Sequence, residues 1–379
     1  MKKCISKIGC IFILVVFVCL AIYFFTNLGS DKQIIKEKPY VNTKTLPNKI
    51  NEDSLKKEEI CSDGDELHKL IKKSEFIGSV LIFKNNQILL NKGYGYADYG
   101  KRVFNHPNTR FQIGSIQKSL TATLILKTIE KGKLSFETKL SSFYPQIEGA
   151  KKITIEDLLN MTSGLQCPQI PDGVVMDEDI IKFVKENSKL VNLGKHEYSP
   201  VNYIILAGIL EKIYQQRYQH IFSTFYKNIG LTNFCFFEDF IKGTNNSKSY
   251  EFVKTHNYSK ELKHNPKDFA RELGSGNVAM STGDMYMYLN RLLTGKIIPL
   301  DILQRSWQYN YQGKYCGGAY VYDNHFRLHG VQAGQRALVL VTKNMDKGVI
   351  MLTNCDQPTK YKKLVTRLFN VIADLRVEF

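Results

Sequence analysis

Ser115 and Lys118 stand three residues apart in the segment Phe111-Gln112-Ile113-Gly114-Ser115-Ile116-Gln117-Lys118. On a helix this spacing puts both side chains on one face, where the amine reaches the hydroxyl. A serine is a poor nucleophile unless a neighbour accepts its proton, and a partly desolvated lysine can do so. Free backbone N–H groups at a first helical turn also help to stabilise an oxyanion. The spacing alone is not selective, because Ser54-Leu55-Lys56-Lys57 repeats it within a charged stretch. Context separates the two copies.

Ser115 opens a run in which Ile116, Leu120, Ala122, Leu124, Ile125, Leu126 and Ile129 are apolar around most of a helical circumference. That pattern predicts a helix over 115–131 buried inside a domain. Before it, Gly78-Ser79-Val80-Leu81-Ile82-Phe83 and Gln87-Ile88-Leu89-Leu90 flank Asn85-Asn86, a hairpin signal. A short amphipathic helix is predicted over 65–72. The middle of the chain, to about residue 270, alternates helical stretches with turns. Strand patterns return at 337–341 and 349–352, and an amphipathic helix follows Pro358. Strands at both ends with helices between predict an α+β domain over 63–379. Its sheet is assembled from N- and C-terminal segments, with a helical region inserted.

The segment ahead of that domain bears on location. Lys2, Lys3 and Lys7 precede residues 8–30, which carry no charge and have an apolar core from Ile11 to Phe25. With its flanks the core reaches the roughly 20 residues that a helix needs to cross a bilayer. Residues 1–30 are therefore expected to be cytoplasmic lysines followed by an uncleaved anchor, with the rest of the chain outside the cell. Residues 31–62, rich in Lys, Asn and Glu, are expected to form a polar spacer.

The 379 residues carry a formal charge of +16, and setting aside Lys2, Lys3 and Lys7 leaves +13. For an exported chain this surplus suits an anionic envelope polymer and disfavours nucleic acid as partner. Eight cysteines are scattered with no Cys-x-x-Cys spacing, so neither a zinc site nor a disulfide framework is implied.

Further segments follow in order: Gly93-Tyr94-Gly95-Tyr96-Ala97-Asp98; Thr154-Ile155-Glu156-Asp157-Leu158-Leu159-Asn160-Met161-Thr162-Ser163-Gly164-Leu165; and Tyr198-Ser199-Pro200-Val201-Asn202-Tyr203. Gly274-Ser275-Gly276-Asn277-Val278-Ala279-Met280-Ser281-Thr282-Gly283-Asp284 and His329-Gly330-Val331-Gln332-Ala333-Gly334 come after them. Together with the Ser115 segment they resemble the class C β-lactamase-like serine hydrolases, including small penicillin-binding proteins of Gram-positive bacteria. The resemblance covers roughly residues 63–379. It implies a β-lactamase/transpeptidase-like antiparallel sheet, no metal and no organic cofactor, and a tyrosine, Tyr198, that shuttles protons with Lys118. It also makes His329-Gly330-Val331 the counterpart of the family's third motif and assigns the second oxyanion N–H to Gln332.

Three departures stand out. The asparagine of the family's Tyr-x-Asn motif is Pro200, which cannot donate, and Asn202 stands two positions off. The hydroxyl and ammonium that hold a substrate carboxylate are absent from the third motif, leaving His329 and Arg336 as candidates. Met161 replaces a histidine before Thr-Ser-Gly. These changes fit a substrate without an acylamino arm or a free carboxylate, such as a D-alanyl ester on teichoic acid. A D-Ala-D-Ala peptide as substrate, a β-lactamase and a general esterase are the alternatives within the class. A catalytically silent binding or sensor domain is the alternative outside it.

Overall fold

The computed structural model describes residues 50–253, 258–307 and 315–379. The expected anchor and all of the spacer up to residue 49 lie outside the described residues. Among those described, no helix is long and apolar enough to cross a membrane.

Packing begins before residue 63. Leu55 is buried in a 3-10 turn at Ser54–Lys56, and strand β1 (Glu59–Ile60) follows. Helix α1 (Asp65–Lys73) leads into the hairpin β2 (Gly78–Lys84) and β3 (Gln87–Tyr94). Asn85 and Asn86 turn it with φ of 51° and 63°, the left-handed pair that a two-residue turn needs to match strand twist. Buried Asn91 on β3 donates to the carbonyls of Leu55 (2.9 Å) and Lys57 (3.1 Å). Those bonds draw part of the stretch read as spacer onto the domain.

The chain then leaves the main sheet. Strand β4 (Phe111–Gln112) delivers the Ser115 turn and helix α2 (Gln117–Glu130). Helix α3 (Val201–Tyr214) packs near α2, and β5 (Phe234–Phe236) and β6 (Val278–Met280) join β4 in a three-stranded sheet ordered β4-β6-β5. Both α2 and α3 are buried around most of their circumference, enclosed by other elements, and α2 buries polar as well as apolar side chains.

The main sheet is completed from the C-terminal end by β7 (Tyr315–Cys316), β8 (Ala319–Val321), β9 (His325–Gln332), β10 (Gln335–Thr342) and β11 (Lys347–Thr353). Its eight strands run β1-β3-β2-β11-β10-β9-β8-β7, every neighbour antiparallel. Every residue of β10 is buried, which marks a central strand covered on both faces. One cover is helix α4 (Pro358–Ala373), whose Leu364, Val365, Leu368 and Phe369 meet Leu338, Leu340, Val349 and Met351. Each such aliphatic side chain contributes about 1.5–3 kcal/mol on burial. Cys61, Cys167, Cys235 and Cys316 are free thiols.

Candidate active site

Ser115 lies in a 3-10 turn, Gly114–Ile116, between β4 and α2. The turn is anchored from behind, where Ile113 N donates to Val278 O at 3.0 Å. In front it meets the outer edge of β9 so closely that neither chain tolerates a side chain. A Cβ on Gly330 would fall 1.8 Å from Ile113 O and 2.9 Å from Ser115 N. Gly114, at φ +49°, would place its Cβ 2.7 Å from both the nitrogen and the oxygen of Val331. Two glycines thus bring a sheet edge against the nucleophile.

Lys118 is 1% exposed, and its Nζ donates to Ser115 Oγ at 3.1 Å and to Ser275 O at 2.9 Å. The loop carrying Ser275 is clamped to α2. The Gln117 side chain bonds Asn277 twice, at 2.9 Å to its Oδ1 and at 2.5 Å from its backbone N–H. Thr121 donates to Gly274 O at 2.7 Å. Tyr198 OH donates to Ser115 Oγ at 2.8 Å. Its ring lies edge-on to Tyr315, centroids 5.1 Å apart, with Lys118 Nζ 5.3 Å from its centre.

Burial drives the Lys118 amine down to about 8, with Glu272 pulling weakly the other way. Desolvation pushes the Tyr198 phenol up to about 12. These opposite displacements divide the labour. At pH 7 about one lysine in ten with such a value is neutral, against about one phenolate in a hundred thousand. These values suit Lys118 to accepting the Ser115 proton and Tyr198 to donating to the serine oxygen. The arrangement can therefore generate a serine nucleophile near neutral pH.

Four expected site residues are placed differently. Asn202 is 1% exposed and fully engaged. Its Oδ1 accepts from Ser163 (2.6 Å), and its Nδ2 donates to Met161 Sδ (3.3 Å) and Ser199 O (3.0 Å). It ties the 161–163 loop to α3 and has no side-chain N–H left for a substrate, because its place two residues beyond Pro200 at the helix start turns it inward. Met161, at φ +59°, completes that tie by also accepting from Ser199 N at 3.5 Å.

His329 and Arg336 point away from Ser115. Successive strand side chains alternate faces, so the fit of Gly330 over Ile113 sends His329 to the α4 side. There His329 bonds Arg336, which grips Asp356 through Nε (2.7 Å) and Nη2 (2.8 Å). Burial, with help from Arg336, lowers the His329 imidazole to about 3. Gln332 is on the correct side, but its side chain lines a cavity. The peptide that approaches Gly114 of the Ser115 turn is that of Val331, one residue before Gln332.

That cavity, of about 400 Å³, is lined by Ile170, Arg271, Glu272 and Gln332 among others, and by Ser199 and Pro200, which follow Tyr198 in the chain. Sequence reasoning missed Glu272, the Ser275 carbonyl and Tyr315. The Gly274-Ser275-Gly276-Asn277 segment was a visible signal for the second. A lone Glu or Tyr carries none.

A family profile described as Beta-lactamase matches residues 71–371. PbpX of Bacillus subtilis (strain 168), named as a candidate penicillin-binding protein, is 27% identical over 366 residues, 95% of this chain and 93% of that protein. A teichoic acid D-alanine hydrolase of Staphylococcus aureus (strain MRSA252) is 28% identical over 373 residues, 89% of this chain and 90% of that one. The crystal structure of FmtA from Staphylococcus aureus aligns at a TM-score of 0.75 and 25% identity, over 85% of this chain and 93% of that chain. The chain belongs to the β-lactamase family and is a serine hydrolase.

Proposed function

We propose that this protein removes D-alanyl groups from an anionic polymer of the cell envelope through an acyl-enzyme on Ser115, held outside the cell by its N-terminal segment. The observation that carries the reading is Ser115 Oγ lying 3.1 Å from a buried lysine whose amine titrates near 8, and 2.8 Å from a tyrosine hydroxyl. Ser115 Oγ attacks the ester carbonyl as its proton passes to Lys118 Nζ. The carbonyl oxygen, now negative, is received by N–H groups of the Ser115 turn and of Val331. Lys118 and Tyr198 return a proton to the departing polymer hydroxyl, and water then releases D-alanine.

Three facts favour this substrate over a β-lactam or a wall peptide. Pro200 offers no amide to an acylamino group, and Asn202 is occupied elsewhere. His329 and Arg336 are on the far side of the sheet, so neither meets a substrate carboxylate. The relative from Staphylococcus aureus named for teichoic acid D-alanine hydrolysis aligns over most of both chains. The uncharged segment 8–30 behind three lysines supports the extracytoplasmic location, and a charge of +13 beyond it suits a polyanion.

The test is release of free D-alanine by residues 31–379 from D-alanylated teichoic acid and from a peptide ending in D-Ala-D-Ala. Release from the polymer alone, lost in Ser115→Ala, is the expected result. Release from the peptide alone makes the protein a carboxypeptidase, and release from neither removes the D-alanyl reading.

A further inference from the structure

A D-alanyl ester differs from an acylated peptide in one respect that a protein can read: its α-nitrogen is a free ammonium. An acylamino group presents a carbonyl that needs a donor, whereas an ammonium presents three donors and a positive charge and needs acceptors. At this site the donor of the family's second motif is missing, since Pro200 stands in its place. The cavity that Pro200 helps to line has instead Glu272 in its wall, with Gln332.

Glu272 is half-buried. Its Oε2 accepts from Ser275 Oγ at 2.6 Å, which fixes the carboxylate on the loop whose Ser275 carbonyl holds Lys118. It forms no salt bridge among the described residues. The neighbouring cation, Arg271, is neutralised by Asp172 at 2.8 Å and by Asp268. The carboxylate is near enough for its charge to be felt by both Lys118 and Tyr198, the two groups that flank Ser115 Oγ. Glu272 is thus the carboxylate of this cavity that no described cation pairs with, and it is tied through Ser275 to Lys118, the partner of Ser115 Oγ. The excess of positive charge over the whole chain makes a local negative pocket more selective, since the polymer's phosphates are repelled from it while the amine is drawn in.

We propose that Glu272 is the specificity-determining residue of the site, accepting the α-ammonium of the D-alanyl group. The inference rests on the D-alanyl reading above. Its role is to orient the acyl group, with Gln332 supplying a neutral acceptor through its amide oxygen. No bond is made or broken at Glu272.

The experiment compares wild type, Glu272→Gln and Glu272→Asp on two activated esters that share a leaving group, one of D-alanine and one of propionic acid. The two acyl groups differ by the ammonium. A charge-assisted hydrogen bond predicts that Glu272→Gln loses about tenfold to a hundredfold in kcat/KM on the D-alanyl ester, mostly through KM. The propionyl ester changes by less than about twofold, and Glu272→Asp recovers part of the loss. Equal losses on both esters, or a shift of the pH profile without a change in discrimination, would assign Glu272 to loop support or to tuning Lys118 and overturn the proposal. The two readings fail separately. Wild type that releases no D-alanine from the polymer removes the D-alanyl function and this role with it. Wild type that releases D-alanine while Glu272→Gln keeps full preference for the D-alanyl ester removes this role alone.

Discussion

Ser115, Lys118 and Tyr198 at the outer edge of β9 can be set beside His329, Arg336 and Asp356 on its α4 side. Both groups join polar side chains by short hydrogen bonds, around a buried cation in each, Lys118 or Arg336. Their charge balance differs. Arg336 is matched by a two-point contact with Asp356, and burial keeps His329 beside it neutral near pH 7. Lys118 is buried with only a weak opposing pull from Glu272, so its amine falls to about 8. A buried cation with a full partner stabilises structure; one without it becomes a base.

The comparison breaks most visibly at the lysine. Lys118→Met should lower turnover about a hundredfold to ten-thousandfold, the usual range for a general base, while the melting temperature holds or rises. Steady-state rates and calorimetry on the same preparation check both halves. Loss of folding in that variant would mean the lysine is structural after all.

Arg336→Ala should show the reverse. It leaves the part-buried Asp356 without its partner and should destabilise the fold by about 1–3 kcal/mol, seen as a lower urea midpoint. Activity per folded molecule should remain within about twofold. A large fall in kcat with unchanged stability would return Arg336 to the substrate.

Gly114→Ala probes the close approach that separates the two groups. Its left-handed φ and the 2.7 Å approach to the Val331 peptide predict a loss of about 1–3 kcal/mol and a displaced oxyanion N–H, hence lower kcat. Equal kcat would show that the Val331 peptide plays no part in the reaction.

The pH dependence gives the smallest effect and the sharpest sign. The folded Lys118 value is below the unfolded one, so the unfolded chain binds more protons between about 8 and 10.5 and stability rises with pH there. Activity should rise with an apparent midpoint near 8 as the neutral amine accumulates. The folded His329 value is also below the unfolded one, so its contribution to stability is lost as pH falls from about 6.5 toward 3. His329→Asn should flatten that acid limb and leave the alkaline rise of activity unchanged.

What the chain reveals before folding is what local geometry sets. The Ser115–Lys118 proximity follows from helical spacing, the β2–β3 turn from Asn85-Asn86, and α4 from its apolar stripe. The face of β9 is not local. A one-residue change of phase exchanges His329 for Gly330 at the nucleophile, and the phase is set by how β9 fits Ile113, more than 200 residues earlier. That is why motif order alone brings His329 and Arg336 to the site, whereas the folded strand turns both toward Asp356. Asn202 failed for a related reason, since two positions along a helix start turned an exposed candidate into a buried strut. Glu272 was hidden because one carboxylate among many has no pattern until the loop folds over α2.

The most direct test of a Ser115 acyl-enzyme is to trap it. The protein is mixed with a D-alanyl ester, quenched in acid within the first turnover, digested, and mapped by mass spectrometry. The account predicts one D-alanyl group on the peptide containing Ser115 in wild type and none in Ser115→Ala. D-alanine release that continues in Ser115→Ala, or a D-alanyl group carried by another residue, would contradict it.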